Sequence, residues 1–398
     1  MASLSSTLDW PGGNAAIRAS TLRRARLAVG LVFFANGAVF GSWAPQIPLV
    51  QERLGLSPAT LGAALLATAV GALCAMVLAG MAIARYGSAP VTRATGIALC
   101  LSLPAAALAP DLGLLVAALA LLGFANGLMD VAMNAHGVAV ELRLNRPIMS
   151  SLHGLFSLGG FVGAGLGGLA LARLAPGTHA VLAGALTLSL VLAAGRFLLP
   201  GRIDLASTGP RLVRPSGAAL VLGFLAFLVL MSEGAALDWS AAWLRTELGV
   251  DSAHAGLAFA AFSASMAASR FAGDMLRRRL GAVVLVRGSA LIAVSGFALA
   301  LLVATPAAAI LGFACAGLGL ANTVPVLFGA GGRLKDSDPG SGIAAVAGIG
   351  YLGFLAGPPM IGVLAQFTSL GQALGVLVVA CGLVALLAPR VRVADAGA

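Results

Sequence analysis

The chain has 398 residues, 60% of them apolar and only 10% charged, with a mean hydropathy of +1.01. Soluble domains run about 45–50% apolar and about 25% charged, so a water-facing globule, a disordered chain and a scaffold stapled by the four cysteines are excluded. The formal net charge of +10 does not signal nucleic-acid binding. The basic residues sit in short loops between apolar runs, not on one face of a soluble domain.

With about 20 residues per crossing, membrane spans are the natural unit. Apolar runs fall at 26–44, 59–84, 91–109, 112–135, 148–171, 179–199, 217–238, 253–275, 283–304, 306–330, 342–366 and 371–388. The residues before the first run are polar and lack the apolar core of a secretory signal, so that run reads as an uncleaved anchor. Turn chemistry separates the runs at Ala44-Pro45, Arg85-Tyr86-Gly87, Ala109-Pro110, Ala175-Pro176-Gly177 and Thr305-Pro306. Ser57 with Pro58 forms an N-cap and first-turn pair opening the second run. No period-two alternation of the barrel kind occurs, so the spans are helices. The expected fold is an all-α membrane protein of twelve transmembrane helices. Two six-helix bundles, 1–200 and 217–398, are joined by a linker at 201–216.

Positive charge sets the orientation. With the N-terminus in the cytoplasm, twenty of the 24 Lys and Arg residues fall on that side. Only Arg53, Arg173 and Arg245 fall outside, and Arg270 lies within the eighth span. Both termini and the linker are therefore expected in the cytoplasm. The cysteines, Cys74, Cys100, Cys315 and Cys381, lie in apolar runs with no metal or redox spacing, as small hydrophobes do.

The two halves repeat. Leu54-Gly55, Ser57, Ala59 and Gly62 match Leu248-Gly249, Asp251, Ala253 and Gly256 at a shift of 194. The same shift carries Arg85 to Arg279, Gly87 to Gly281 and Arg93 to Arg287, and a shift of 196 carries Gly123 and Asn126 to Gly319 and Asn322. Two six-helix units entering from the same side form a parallel repeat. Such a repeat, with the loop Gly80-x-x-x-Ala84-Arg85-x-Gly87 and Arg93, resembles the major facilitator superfamily. Its counterpart in the second half contains Gly273-Asp274, Arg279, Gly281 and Arg287. The acidic residue usual in the first-half loop is Ala84 here, which removes the conventional charge latch of that half. More narrowly, six segments resemble the MosC/YbjJ-like branch. They are Gly41–Ala44, Asp130–Glu141, His153–Gly159, Glu233–Trp239, Arg270–Gly273 and Gly350–Pro359.

A charge at membrane depth costs about 2.5–3.5 kcal/mol on insertion scales, so polar residues inside spans should be few and purposeful. They are Asn36 in span 1, Asn126, Asp130 and Asn134 in span 4, Glu233 and Asp238 in span 7, and Asn322 in span 10. In the resembled fold, spans 1, 4, 7 and 10 line the central cavity. Glu233 has no basic neighbour on its own helix and suits a proton carrier or a ligand for a hydroxyl or amine. The alternative is a protonated residue bonded to a neighbouring helix. Asp238 and Trp239 are expected at the outer mouth. Asp130 and His153 are expected to approach each other near the inner gate, as a proton-sensitive pair or as a static hydrogen bond between spans 4 and 5. Trp43, with Phe33, Phe34 and Phe40, could stack on a sugar ring. Arg85, Gly87, Arg93, Arg270, Asp274, Arg279, Gly281 and Arg287 are expected at the gate and its loops. The run Gly163–Gly168 reads as close helix packing, not a dinucleotide loop. Pro325 and Pro358-Pro359 are expected to break spans 10 and 11, and His136, His179 and His254 are expected in loops.

No nucleophile–base pair, metal cluster or phosphate loop occurs in the loops, so neither an enzyme nor an ATP-driven pump is expected, and no cofactor or metal. The expected function is secondary active transport of a small polar solute across the inner membrane by alternating access, coupled to protons, in a multi-pass monomer surrounded by lipid. The resemblance implies a sugar, polyol or inositol-amine substrate. A proton-coupled exporter of amphipathic compounds and a non-transporting membrane sensor are the competing readings.

Overall fold

A computed structural model describes residues 19–144, 148–199, 216–334 and 339–395; the linker expected at 201–216 lies outside them but for Ser216. The described residues form thirteen α-helices, a final 3-10 helix and no strand. In chain order the helices are α1 (Ala19–Trp43), α2 (Gln46–Leu54), α3 (Pro58–Tyr86), α4 (Ser88–Ala107), α5 (Leu112–Leu144), α6 (Met149–Leu171), α7 (Pro176–Gly195), α8 (Gly217–Thr246), α9 (Leu257–Val303), α10 (Pro306–Leu320), α11 (Thr323–Gly331), α12 (Pro339–Phe367) and α13 (Leu370–Leu387), followed by the 3-10 helix Ala388–Asp395.

The helix starts follow local chemistry. The Ser57 hydroxyl accepts from the Thr60 N–H at 3.2 Å with Pro58 next in line, and Ser216, Thr305 and Ser369 cap α8, α10 and α13 in the same way. These caps satisfy N–H groups that a helix leaves without internal partners. The helix reversals follow the repeat. Among the described residues the glycines with positive φ are Gly55 (62°), Gly249 (66°), Gly87 (84°) and Gly281 (74°), two pairs at the spacing of 194. Gly281 is also the one non-helical point inside α9, which turns there into two limbs.

Glycine lets the helices approach backbone to backbone. A Cβ on Gly37 would strike the Phe156 carbonyl, and one on Gly163 would strike the Ala38 carbonyl, so α1 lies directly on α6. The expected packing role of the Gly163–Gly168 run is thus met at Gly163. α6 also packs on the first limb of α9, and α3 packs on α12. Small residues at such seams are how helices associate where lipid offers no hydrophobic driving force.

Ten helical segments among the described residues are long and apolar enough to cross a membrane. α4, which carries Arg93 among several Ser and Thr residues, is not in that set. Several expected boundaries move. α5 and α8 run well beyond the apolar runs at 112–135 and 217–238, because helix-favouring residues continue past the point where hydropathy falls. Span 10 breaks at Ala321-Asn322, ahead of Pro325, whereas α12 continues through Pro358 and Pro359. His136 and His179 are not loop residues but buried helix residues. His136 meets the Ser88 hydroxyl at 2.7 Å and accepts from the Leu199 N–H at 3.1 Å; His179 meets the Gln46 amide at 2.7 Å. Each ring finds polar partners, which is what makes its burial tolerable.

Candidate functional site: a cavity open at one end

A cavity of about 630 Å³ runs into the bundle between α1, α3, α5 and α6 on one side and α8, α9, α11 and α12 on the other. At one end it is lined by Met149 at the start of α6, Arg277 and Leu285 on either side of the Gly281 turn in α9, and Arg333 just past the end of α11. This is the end of the helix turns at Gly87 and Gly281. At its other end Phe40, Trp43 and Pro358 close it. Beyond them the bundle is sealed. Gly62 of α3 abuts the Pro358 carbonyl and Gly362 of α12. Glu52 of α2 accepts two hydrogen bonds from Arg245 of α8, at 2.8 and 3.2 Å. In the loop at this end the Asp251 carboxyl lies below its ordinary range, chiefly through the hydrogen bond from His254.

Of the residues singled out in the sequence, Trp43, Asn126, Asp130, His153, Glu233, Asp238, Arg270 and Asn322 line this cavity. α8 presents Glu233, whose Oε2 stands 3.8 Å from Arg270 Nη2 of α9. Its Oε1 is buried without a hydrogen-bond partner. Arg270 Nη1 donates to the Ser157 hydroxyl of α6 at 2.8 Å, and its Nε faces the Ala321 carbonyl at 3.5 Å. Buried polar atoms normally find partners, and this oxygen, buried behind the wall that Glu233 lines, has none.

On the facing wall Asp130 and His153 are joined through a third residue. Asn134 Nδ2 donates to the Asp130 carboxylate at 3.1 Å, and Asn134 Oδ1 meets His153 Nε2 at 3.1 Å. With the Asn134 oxygen accepting, that ring nitrogen carries the hydrogen. Phe33 packs edge-on against the imidazole at 5.2 Å between ring centres. Asn36 lies behind the wall and donates to Asn126 Oδ1 at 3.0 Å. Asn322, in the break between α10 and α11, donates to the Ser269 hydroxyl at 2.9 Å. A Cβ on Gly273 would collide with the Asn322 side chain, so the glycine of the Arg270–Gly273 segment makes room for that amide.

Other expectations shift. Trp239 is not at an outer mouth; it is fully buried in the core, two turns before the end of α8. Phe33 and Phe40 line the cavity with Trp43, whereas Phe34 does not. Arg85, Arg93, Arg279 and Arg287 are exposed outside the cavity. Arg85 lies over the Tyr86 ring at 5.4 Å, and Arg287 reaches the Ala385 carbonyl at 3.3 Å. The Asp274 side chain lies outside the described residues. Sequence reasoning assigned no role to Ser157, Tyr351 and Phe354, although all three fall in segments that carried the family resemblance. Tyr351 and Phe354 line the cavity with their rings stacked 6.4 Å apart. Arg277 and Arg333 at the mouth both donate to the Ala394 carbonyl at 2.8 Å, fastening the final 3-10 helix there.

A multi-helix membrane bundle built around a charged, one-ended cavity is the architecture of a solute transporter. The family model described as Major Facilitator Superfamily matches residues 29–334, and the chain belongs to that superfamily. It is 38% identical over 351 residues to an uncharacterised MFS-type transporter of Yersinia pestis, covering 88% of this chain and 91% of that one. It is 33% identical over 361 residues to the membrane protein MosC of Rhizobium meliloti, covering 90% and 87%, which places it with the MosC-like branch. Among solved structures, the nucleoside transporter NupG superposes with a TM-score of 0.70 at 14% identity, over 94% of this chain and 100% of that one. An inward-facing, unoccupied bacterial homologue of the human lysosomal transporter Spinster superposes with 0.71 at 15% identity, over 95% and 98%. At those identities the likeness is one of fold.

Proposed function

We propose that this chain is a secondary active transporter that carries a small polar solute through the central cavity by alternating access, coupled to protons. The observation that carries the reading is Glu233 with its unpartnered oxygen in a cavity that is closed at one end and open at the other. Hydroxyl or ammonium donors of a sugar, polyol or inositol-amine would bind there, with Trp43 and Phe40 beside them. The two acids on opposite walls, Asp130 and Glu233, supply proton-binding groups. The family and the relatives, which are transporters, support transport as the reading.

In this reading the chain crosses the inner membrane of a bacterium twelve times as a monomer, with both termini in the cytoplasm. The segments 1–200 and 217–398 rock against each other, and the open end, rich in arginine, faces the cytoplasm as the positive-inside rule requires. The test is thermal unfolding of purified wild type and Glu233→Gln with monosaccharides, inositols, amino-polyols and lipophilic cations at pH 6 and pH 8. A ligand that binds only the folded state raises the melting temperature by mass action. A polyol-class shift in the wild type, lost in Glu233→Gln and followed by counterflow in liposomes, supports the reading. A shift with lipophilic cations alone replaces it with the exporter, and binding without counterflow replaces it with a sensor.

A further inference from the structure

The two cavity acids stand at opposite ends of one chain of polar contacts. Asp130 accepts from Asn134, and the Asn134 amide oxygen meets His153 Nε2. The His153 carbonyl accepts from the Ser157 hydroxyl at 3.3 Å, Ser157 Oγ accepts from Arg270 Nη1 at 2.8 Å, and Arg270 Nη2 stands 3.8 Å from Glu233. Ser157 is the hinge of this chain. It lies on α6, is only 3% exposed, and uses its hydrogen on its own helix and its lone pair on an arginine carried by α9.

The distances rank Arg270's partners. The Ser157 contact is a full hydrogen bond, while the contact with Ala321 is marginal. The gap to Glu233 is well beyond the roughly 2.7–2.9 Å of a charge-assisted bond. A guanidinium and a carboxylate this close in a low-dielectric wall attract strongly and would close on each other unless something holds one of them. Arg270 is held on the side away from Glu233. Glu233 keeps one buried oxygen without a partner, although its counter-ion stands only 3.8 Å from the other.

We infer that Ser157 is a positioning residue: it seats Arg270 on α6, holds the guanidinium off Glu233, and so keeps the Glu233 carboxyl open to a hydroxyl or ammonium donor of the transported solute. When α6 and α9 part, Arg270 loses this seat, closes on Glu233 and displaces the donor. The ligand half of this inference rests on the reading of Glu233 as the solute-binding group. The positioning half does not.

The positioning half is tested with dicyclohexylcarbodiimide, which adds to a protonated carboxyl in an apolar site and fails to add to a carboxylate locked against a guanidinium. Purified wild type, Ser157→Ala, Ser157→Thr and Arg270→Gln are reacted in detergent, and modification of Glu233 is followed by peptide mass mapping with Glu233→Gln as the blank. Wild type is expected to label at Glu233. Ser157→Ala should slow that labelling about tenfold, the scale of one hydrogen bond to a charged group, and Ser157→Thr, which keeps the acceptor, should restore it. In the Arg270→Gln background the Ser157 substitution should have no further effect. Ser157→Cys, a near-isostere with a weaker acceptor, should move in the same direction as Ser157→Ala and serves if that variant does not fold. Labelling of Ser157→Ala as fast as wild type overturns the inference, as does a wild-type Glu233 that never reacts. Absence of solute flux in the wild type would count against the transport reading and leave this comparison intact.

Discussion

The two walls of the cavity hold their acids in opposite ways. On the α5–α6 wall Asp130 is bonded to a neutral amide, which in turn meets an imidazole. On the α8–α9 wall Glu233 faces a cation at 3.8 Å and keeps an oxygen without a partner. The first arrangement joins the acid only to neutral hydrogen-bonding groups, and the Arg270 guanidinium touches that wall one helix turn further along, at Ser157. The second is a charge pair left incompletely closed. An acid among neutral partners can gain or lose a proton with little rearrangement, whereas an acid opposite an arginine must first settle where the arginine goes. Within the proposed transport function, this contrast makes the Asp130 wall the one to test for proton exchange and the Glu233 wall the one to test for solute capture.

Removing the cation should have the largest effect. Arg270→Ala leaves Glu233 buried without a counter-charge and should cost about 3 kcal/mol of stability, read as a lowered unfolding temperature. The double variant Arg270→Ala/Glu233→Ala should recover most of that loss, and a double variant as unstable as the single one would show that the two walls do not differ in this way. Asp130→Asn removes a charge but leaves groups that Asn134 can still bond, so its cost should stay near 1 kcal/mol. Its signature is kinetic: solute flux in liposomes should lose its pH dependence while ligand-induced thermal shifts persist. Retained pH dependence there would take proton exchange away from this wall.

At the sealed end Glu52→Gln breaks a partly exposed pair and should change stability by less than about 1 kcal/mol. It should nonetheless favour opening of that end. In a background lacking the native cysteines, Trp43→Cys should then react faster with an impermeant maleimide added on the sealed side, and an unchanged rate would show that the backbone seams at Gly62–Gly362 and Gly168–Ala253 hold it shut without the ion pair. The smallest effect belongs to Asp251. Its folded carboxyl titrates below the ordinary range because of His254, so its contribution is present above the unfolded value and fades as pH falls through the lowered one. In His254→Ala the carboxyl signal, followed by infrared titration, should move back up.

The residues found from sequence were those whose chemistry is out of place in a bilayer. A carboxylate or an amide in an apolar run stands out whatever the fold, and Asp130, Asn126, Glu233 and Asn322 all reach the cavity. Ser157 does not stand out, because a serine in a membrane helix can satisfy its hydroxyl on its own backbone, and only the position of α9 gives its lone pair a second use. Tyr351 is similar: an aromatic ring is ordinary in a span until its neighbours are known. The Glu52–Arg245 pair joins residues far apart in sequence, and nothing local in either segment points to the other. Hydropathy ends before α8 does, which hides the burial of Trp239, and a polar ring such as His136 reads as a loop residue until its buried partners are known. Helix reversals were legible at the glycines, where the requirement lies in the backbone of a single residue.

Gly55 and Gly249 turn the chain at the same point of each copy of the repeat, with φ of 62° and 66°, and around both the space a side chain would enter is empty. Alanine at either site would therefore meet no neighbour and suffer only backbone strain, about 1–2 kcal/mol in each case. The molecule thus carries its own matched control: an identical lesion, written once in each copy, with local sterics removed from the comparison. Any difference between the two variants in folding yield or turnover measures how unequally the two copies have come to share the work since they ceased to be interchangeable.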